Sequence, residues 1–512
     1  MRNIKTHVSL ALVGAFLAAC GGGTPEASAP VNTAPPVSAS GEAISRKTSD
    51  LYKDALEDLY AHDRANDWSS GNCRSVARAF DKANAEQGGK LSEAVFNAGL
   101  ALQRCGENAE AMQRFNEALA LNPKAHYARV QVALDTYKKT GGIDVVITEL
   151  DRAVKDAQFQ NVAALTQLAT FQMQRGAENA TGECKSDREC AKKNLQRALA
   201  IDDGYMPALN QLALYYYGEA KTKGSAKKAT TSGKGAATTP AVATAKKANA
   251  QTLELAALVC QQALAKNPRY APILNTTGLI QVELGQINGA VQSFDAASSL
   301  DPKFFEAHMN LGAVNLSFRG FKKAEGAYRK AVALQPQSYE AHLGLALAVR
   351  GTIDDVNFDQ SVAAVQSELD DCKRIDGSRP DAYYNEGILW QEYKAKSGGK
   401  DSIPSLRKAQ AIFNDFASKA AGKVEYADAV KRAKERSEDI DGIVAFFEMD
   451  ANPPTPAATP EAPATPATPA PATEGSTTSV APVAAVSAPA APAPATENPS
   501  ATDSPAAPGN AN

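Results

Sequence analysis

The stretch that decides the fold runs from residue 269 to residue 336 and consists of two consecutive segments of 34 residues. Residues 269–302 are RYAPILNTTGLIQVELGQINGAVQSFDAASSLDP, and residues 303–336 are KFFEAHMNLGAVNLSFRGFKKAEGAYRKAVALQP. At this offset the segments share small residues, an aromatic residue and a closing proline: Gly278 with Gly312, Ala290 with Ala324, Phe294 with Tyr328, Ala297 with Ala331, and Pro302 with Pro336. Small residues let two helices approach closely, an aromatic ring fills the space between them, and proline ends the second helix. The period therefore predicts an array of helical hairpins.

The second segment resembles the tetratricopeptide (TPR) repeat family. The residues that match the family pattern in order and spacing are Leu311, Gly312, Ala324, Tyr328, Ala331 and Pro336. Asn315 departs from the pattern, because the family usually has tyrosine there. The resemblance implies that the first helix of each hairpin lines a concave groove, in which partner peptides or helices bind.

Related spacings extend over most of the chain. A single compact core rarely extends over 512 residues, which favours a solenoid in which neighbouring repeats share their core. We expect an all-α, TPR-type solenoid of about eight hairpins over residues 46–447, with an atypical first hairpin and a covering helix from Val424 to Phe447. The net charge of -3 gives no reason to expect nucleic acid as a partner.

The N-terminus has the features of a targeting segment. Arg2 and Lys5 precede an apolar run from Val8 to Ala19, and this run is too short to span a bilayer as a helix of the mature protein. An exported protein is therefore expected.

Leu17-Ala18-Ala19-Cys20 resembles the bacterial lipobox. The resemblance implies that residues 1–20 are a lipoprotein signal peptide and that Cys20 becomes the lipid attachment site, so that acyl chains anchor the mature chain to a membrane. The alternative is an ordinary secretory signal next to a chance cysteine. Gly21 stands where enteric lipoproteins retained in the inner membrane have aspartate, which favours an outer-membrane location, with the protein facing the periplasm.

Three segments have a composition that does not form a core. Residues 21–45, rich in Gly, Pro, Ala, Ser and Thr, are expected to be a flexible tether, and residues 448–512, rich in Pro, Ala and Thr, a disordered tail. Residues 219–250 are expected to be a disordered insertion with seven lysines between Lys221 and Lys247. The insertion is either a solvated linker or a patch for an anionic surface such as lipid headgroups, lipopolysaccharide or cell wall.

Six cysteines remain once Cys20 carries lipid, and an exported chain can form disulfides. Cys184 and Cys190 enclose a short polar loop, and a bond between them would close it. Cys73 begins a second helix and Cys105 ends the first helix of the next hairpin, so these two termini are expected to lie close together. The other two, Cys260 and Cys372, occupy core positions and are expected to be buried thiols. Cys184 and Cys190 have no second ligand pair at zinc spacing, so we expect no metal.

No constellation of residues indicates catalysis, and no cofactor is expected. His308 and His342 are 34 residues apart and occupy one repeat position, which favours a packing role for both. Gly233-Lys234 lacks the Ser or Thr of a phosphate loop and follows no predicted strand. We therefore expect a binding protein and no enzyme.

Projection of the 34-residue period gives the groove-facing candidates Asn275, Leu279, Val282, Met309, Ala313, Leu316, Leu343 and Leu347. The alternative is that some of them pack against neighbouring helices.

The chaperone-type TPR clamp has cations at the second position of the first helix, where this chain has Glu93, Glu306, Glu340 and Asp381. Three other residues fit the clamp's asparagine position: Asn97, Asn310 and Asn385. Without the cations the clamp resemblance fails, and a basic or mixed partner segment is favoured.

The lipobox, the repeat number, the cysteine loop and the Ala/Pro tail together resemble the TPR lipoproteins of the myxobacterial adventurous gliding machinery. This resemblance implies a scaffold in an envelope-spanning complex, with other envelope proteins as partners. Two alternatives stay open, namely a pilotin-like assembly factor for a secretin and a regulator of peptidoglycan synthesis or hydrolysis.

Overall fold

The structure, a computed structural model, describes residues 37–38, 41–65, 67–178, 184–228, 240–395 and 398–451. The predicted signal peptide with Cys20, most of the predicted tether, and the chain after residue 451 lie outside these residues. What the sequence predicts for those segments therefore stays a prediction.

Helices dominate the described part of the chain, which contains no β-strand. An isolated antiparallel bridge joins Val37 and Ala43. Within the described residues, nineteen α-helices form nine helical hairpins and a final single helix, compared with the eight or so hairpins expected. The predicted all-α, TPR-type hairpin fold is confirmed.

Two compact units divide the chain, and the boundary between them lies between Pro268 and Arg269. The first unit contains five hairpins, built from α1 (Arg46–Ala65), α2 (Ser70–Glu86), α3 (Ser92–Arg104), α4 (Asn108–Leu121), α5 (His126–Thr140), α6 (Ile143–Asp156), α7 (Val162–Arg175), α8 (Asp187–Ile201), α9 (Met206–Lys228) and α10 (Pro240–Lys266). Several of these helices begin at a polar side chain that caps the backbone, such as Asn161, whose Oδ1 accepts from the Ala164 amide at 3.0 Å.

The second unit contains the repeats that define the period. Its helices are α11 (Ala271–Glu283), α12 (Ile287–Leu300), α13 (Phe305–Ser317), α14 (Phe321–Leu334), α15 (Tyr339–Gly351), α16 (Phe358–Ile375), α17 (Asp381–Ile388), α18 (Ile403–Lys419) and α19 (Ala427–Ala451). A π-helical turn over Leu389–Lys394 continues α17.

The helices of a hairpin meet where a glycine on the first faces an aromatic ring on the second. An added Cβ atom on the glycine would lie within 3 Å of the ring in each of three hairpins: Gly99 with Phe115 (2.7 Å), Gly278 with Phe294 (2.5 Å) and Gly312 with Tyr328 (2.8 Å). The aromatic side chains are buried. The interhelical contact is therefore so close that only a residue without a side chain fits.

The end of the predicted tether belongs to the fold, contrary to the expectation that residues 21–45 bury nothing. Ile44 is 3% exposed and packs in the core of the first hairpins. Ser45 Oγ accepts from the Thr48 amide at 2.9 Å and so caps α1, while Gln87 Nε2 donates to the Ala43 carbonyl oxygen at 3.1 Å. Composition missed this because a single isoleucine is buried only once α2 supplies its contacts.

Two helices extend into the lysine-rich segment 219–250, which the sequence predicted to be a disordered insertion. α9 continues to Lys228 and α10 begins at Pro240, and residues 229–239 of this segment lie outside the described part of the chain. Alanine and lysine favour helix, which explains the extension of α9. Proline is well tolerated at the first position of a helix, where its missing N–H has no partner to lose.

α19 covers the last hairpin, as expected for a capping helix. Ile440 and Val444 are fully buried and pack in one cluster with Phe413 and Phe416 of α18. The helix continues to Ala451, a few residues beyond the predicted end at Phe447.

We expect Gly278→Ala to destabilise the second unit. The new methyl group would overlap the Phe294 ring, and overpacking of this kind costs about 1 to 3 kcal/mol, more than the gain in helix propensity of about 1 kcal/mol. The expected net loss of unfolding free energy is up to about 2 kcal/mol, measured by urea unfolding followed by circular dichroism.

Gly326→Ala is the matched control, since Gly326 lies within α14 and an added Cβ there would meet nothing within 4 Å. This change should leave stability equal or raise it by up to about 1 kcal/mol. Equal effects of the two substitutions would show that the close glycine–aromatic contact does not govern packing.

Candidate protein-binding groove

The eight groove candidates divide into covered and accessible residues. Met309 and Leu343 are core residues, 8% and 5% exposed, which corrects their assignment to the groove surface. The physical reason is that the first helices of consecutive hairpins pack against each other, as α13 does against α15, and close over these positions. Asn275 is also buried, at 8% exposure.

The other candidates keep some exposure. Val282 is 38% exposed. The half-buried candidates are Leu279, Ala313, Leu316 and Leu347. Among these, Leu316 and Leu347 pack partly on the core of the second unit. The accessible part of the predicted surface is therefore a line of apolar side chains on α11, α13 and α15.

The asparagines at the clamp position are engaged within the chain. Asn310 Nδ2 donates to Asn275 Oδ1 at 2.9 Å, which joins α13 to α11. Asn97 Nδ2 donates to the Tyr52 hydroxyl at 2.7 Å, which joins α3 to α1. These asparagines connect the first helices of neighbouring hairpins.

Three of the four acidic residues at the second helical position are hydrogen-bonded or ion-paired within the chain. Glu93 is fully buried and accepts from Ser92 Oγ at 3.0 Å. Glu340 pairs with Arg379, and Asp381 accepts from the Tyr426 hydroxyl at 3.0 Å.

Glu306 is half-buried, and burial raises the pKa of its carboxyl above the usual value. The preference for a basic partner, inferred from this row of acids, is therefore not supported by the structure. Glu340 and Asp381 share Arg379 as their ion-pair partner and Glu93 is buried, so the row presents less negative charge than four free carboxylates would.

Arg350 provides a groove charge that the sequence-based projection missed. Arg350 lies on α15, 34 residues after Leu316, which itself lies 34 residues after Val282. The three residues therefore occupy the same position in successive repeats. One guanidinium nitrogen donates to Asn385 Oδ1 at 3.0 Å. Within the part of the chain that the structure describes, no carboxylate lies at ion-pair distance from Arg350.

Burial lowers the pKa of Arg350 below its usual value, yet a guanidinium stays protonated at neutral pH. Arg350 is thus a fixed positive charge, half-buried, and Glu392 and Arg436 are among the charges that act on it. Continuing the period for one more repeat would have identified it.

The two repeated histidines share one structural bond. His308 Nε2 lies 3.1 Å from the Pro302 carbonyl oxygen, and His342 Nε2 lies 3.1 Å from that of Pro336. Both side chains are buried. Each histidine thus contacts the carbonyl oxygen of the proline six residues before it. This shared contact agrees with the packing role that the 34-residue period predicted for both histidines.

The structure joins Cys73 to Cys105 and Cys184 to Cys190, with Cα–Cα distances of 6.2 Å and 5.4 Å. The first disulfide connects the start of α2 to the end of α3, and the second closes the loop before α8. The other two cysteines, Cys260 and Cys372, are buried.

Membrane contact is not decided by the described residues, since Cys20 and the middle of the lysine-rich insertion lie outside them. Among the helices that are described, none has the length and apolar character needed to cross a bilayer.

Comparison with known proteins identifies the repeats. A family model described as TPR repeat matches residues 278–317, and one described as tetratricopeptide repeat matches residues 92–125. Neither describes a catalytic domain. No protein of curated function matches the chain. Residues 92–125 and 278–317 are therefore tetratricopeptide repeats.

Three solved structures illustrate what this chain is similar to. A thermophilic TPR protein of Thermus thermophilus is 22% identical, with a TM-score of 0.35 over 44% of this chain and 100% of that one. The structure of pilF from Pseudomonas aeruginosa is 19% identical, with a TM-score of 0.37 over 53% of this chain and 97% of that one. A tetratricopeptide repeat protein of Parabacteroides merdae is 15% identical, with a TM-score of 0.33 over 61% of this chain and 98% of that one.

The two disulfides should contribute unequally to stability. Loop-closure entropy grows with the enclosed length, which is 32 residues for Cys73–Cys105 and 6 for Cys184–Cys190. Replacing Cys73 and Cys105 by serine should lower the free energy of unfolding by about 4 kcal/mol. Replacing Cys184 and Cys190 by serine should lower it by about 2 kcal/mol.

Calorimetry under oxidising conditions measures both losses. In the presence of a reductant the wild-type chain should lose the same stability, so that the variants and the wild type coincide. A wild-type transition that does not respond to reduction would contradict the contribution of these bonds.

Proposed function

We propose that the chain is a lipid-anchored scaffold of a bacterial cell envelope, in which the groove of the second unit binds an acidic segment of a partner protein. TPR domains bind partner proteins, and the repeats at 92–125 and 278–317 support this general role. The position of Arg350 in the groove is the observation that favours an acidic partner segment.

Arg350 has no carboxylate at ion-pair distance among the described residues. Its one hydrogen bond to Asn385 leaves the rest of a five-donor fork available, and such a fork bonds a carboxylate in bidentate fashion. A hydrogen bond to a charged group contributes about 1.5 to 3 kcal/mol. A partner carboxylate would therefore gain affinity here, and a basic partner segment would be repelled.

The apolar side chains near this charge supply the rest of the contact. Val282, Leu316 and Leu347 lie on the first helices of three successive hairpins and keep part of their surface exposed. A helix or extended segment with apolar residues before or after an acidic one would complement them. This pattern combines nonpolar burial with a directional charge contact.

The proposed location rests on the sequence. The lipobox ending at Cys20 supports a lipid anchor, and Gly21 supports the outer membrane with the protein in the periplasm. The resemblance to the myxobacterial gliding lipoproteins supports a motility complex as the assembly. The lysines between Lys221 and Lys247 are either a linker or a second contact with an anionic surface.

Crosslinking in cells tests the groove. A photoreactive residue at Val282 or Leu316 should capture a partner, and Arg350→Glu should lower the yield at least about tenfold, which corresponds to about 1.4 kcal/mol. Mass spectrometry of the product should place the captured segment next to Asp or Glu residues.

Arg329→Glu is the matched control. It makes the same charge change on the second helix α14, where Arg329 is exposed and pairs with Glu325. Unchanged capture by the Arg350 variant would refute the groove proposal. The identity of the partner decides the assembly: a motility protein supports the gliding complex, a secretin the pilotin alternative, and a wall synthase or hydrolase the alternative of peptidoglycan regulation.

Cys20→Ala should release the chain from the membrane. The acyl chains are the proposed anchor, so the variant should take up no alkyne-labelled fatty acid and move from the membrane fraction to the soluble one. Its circular dichroism should not change, because Cys20 precedes the helical hairpins. A wild-type chain that is unlabelled and soluble would refute the anchor.

A further inference from the structure

A polar cluster on the hairpin of α15 and α16 is not explained by the proposed function. His342 Nδ1 lies 2.6 Å from Glu368 Oε2 and 4.0 Å from Asp371 Oδ2. Each residue offers one donor atom, and the three atoms lie within 4.8 Å of one another. Among the described residues this is the one group of three such side chains.

The hydrogen bond of His342 to Pro336 leaves Nδ1 as the ring nitrogen that can bind a metal ion. Nε2 lies 3.1 Å from the Pro336 carbonyl oxygen, which can only accept, so Nε2 carries a hydrogen. Nδ1 faces a carboxylate oxygen of Glu368 at 2.6 Å, and the carboxylate can only accept. A proton on Nδ1 or a metal ion can therefore lie between these two atoms.

The surroundings of the cluster match those of metal sites. Histidine ligands usually donate their second N–H to a carbonyl or carboxylate, which orients the ring, and His342 does so to Pro336. Ligating carboxylates are usually held by hydrogen bonds as well. Asp371 is held in this way, because Arg374 donates to its Oδ1 at 2.7 Å and leaves Oδ2 available.

Burial decreases outward through the cluster. The side chain of His342 is 7% exposed, that of Glu368 20% and that of Asp371 34%. An ion can therefore approach past Asp371 and bind at a nitrogen that water reaches poorly.

Comparison with the preceding repeat shows which contacts of His342 recur in the array and which are found at His342 alone. His308, 34 residues earlier, makes the same Nε2 contact with Pro302, but its Nδ1 has no hydrogen-bond partner. The ring orientation is thus a property of the repeat. The two carboxylates belong to the α15–α16 hairpin and serve no repeated packing role.

We propose that His342 Nδ1, Glu368 and Asp371 bind a divalent transition-metal ion of the Zn²⁺ class. Imidazole and carboxylate together suit this class. Metal–ligand bonds of about 2.0 to 2.2 Å require the imidazole and the Glu368 oxygen to separate to roughly 3.3 Å, which a rotation of the half-buried Glu368 side chain allows. The ion displaces the shared proton to solvent, and it crosslinks α15 to α16.

Metal titration of the full chain, purified without a histidine tag and freed of metal by a chelator, tests this site. Calorimetry with ZnCl₂ should show one ion per chain, and Glu368→Gln and Asp371→Asn should each weaken binding at least about tenfold. Both residues are partly exposed, so these variants should fold, as circular dichroism can verify. Co²⁺ should give a spectrum without a thiolate charge-transfer band, because the ligands are nitrogen and oxygen.

His308→Gln and Cys372→Ser are the controls and should bind Zn²⁺ as the wild type does. His342→Gln should abolish binding. Absence of binding by the wild-type chain, or binding by the two carboxylate variants as tight as that of the wild type, would overturn the proposal and show that the cluster holds a proton only. Neither result depends on the partner of the Arg350 groove.

Discussion

The close contact between a glycine on one helix and an aromatic ring on the next is the constraint on which the hairpins depend. Gly278 faces Phe294 and Gly312 faces Tyr328 at distances that leave no room for a side chain. This contact sets the separation of the two helices in a hairpin, and an unvarying separation keeps equivalent positions of successive first helices equivalent in space. The groove follows from that regularity, since the same few positions of each first helix face it.

A regular groove does not by itself select a partner. Selectivity comes from the residues that differ between repeats at the same groove position. The series Val282, Leu316 and Arg350 ends in a charge after two apolar residues. The acid whose charge acts on Arg350 is Glu392, and Glu392 pairs with Arg436. A row of charges in a sequence thus says little about the charge a groove presents, because ion pairs within the chain reduce it.

Comparison between repeats separates packing from recognition in the same way. His308 and His342 make identical contacts with the carbonyl of a preceding proline, so that bond belongs to the repeat. Only His342 has carboxylates at its second nitrogen. A feature present in one repeat and missing from its neighbour needs an explanation beyond packing, and a bound cation provides one.

The sequence by itself determined the hairpins, their period, and which cysteines are neighbours, because helix contacts within and between adjacent repeats depend on spacing along the chain. It also placed His308 and His342 in one structural role. Only the tertiary structure decided that Met309 and Leu343 are covered, that Ile44 is part of the core, and that no carboxylate of the described residues lies at ion-pair distance from Arg350. Burial and ion pairing depend on side chains from other helices, and a periodic pattern determines which face a residue occupies but not what lies against that face.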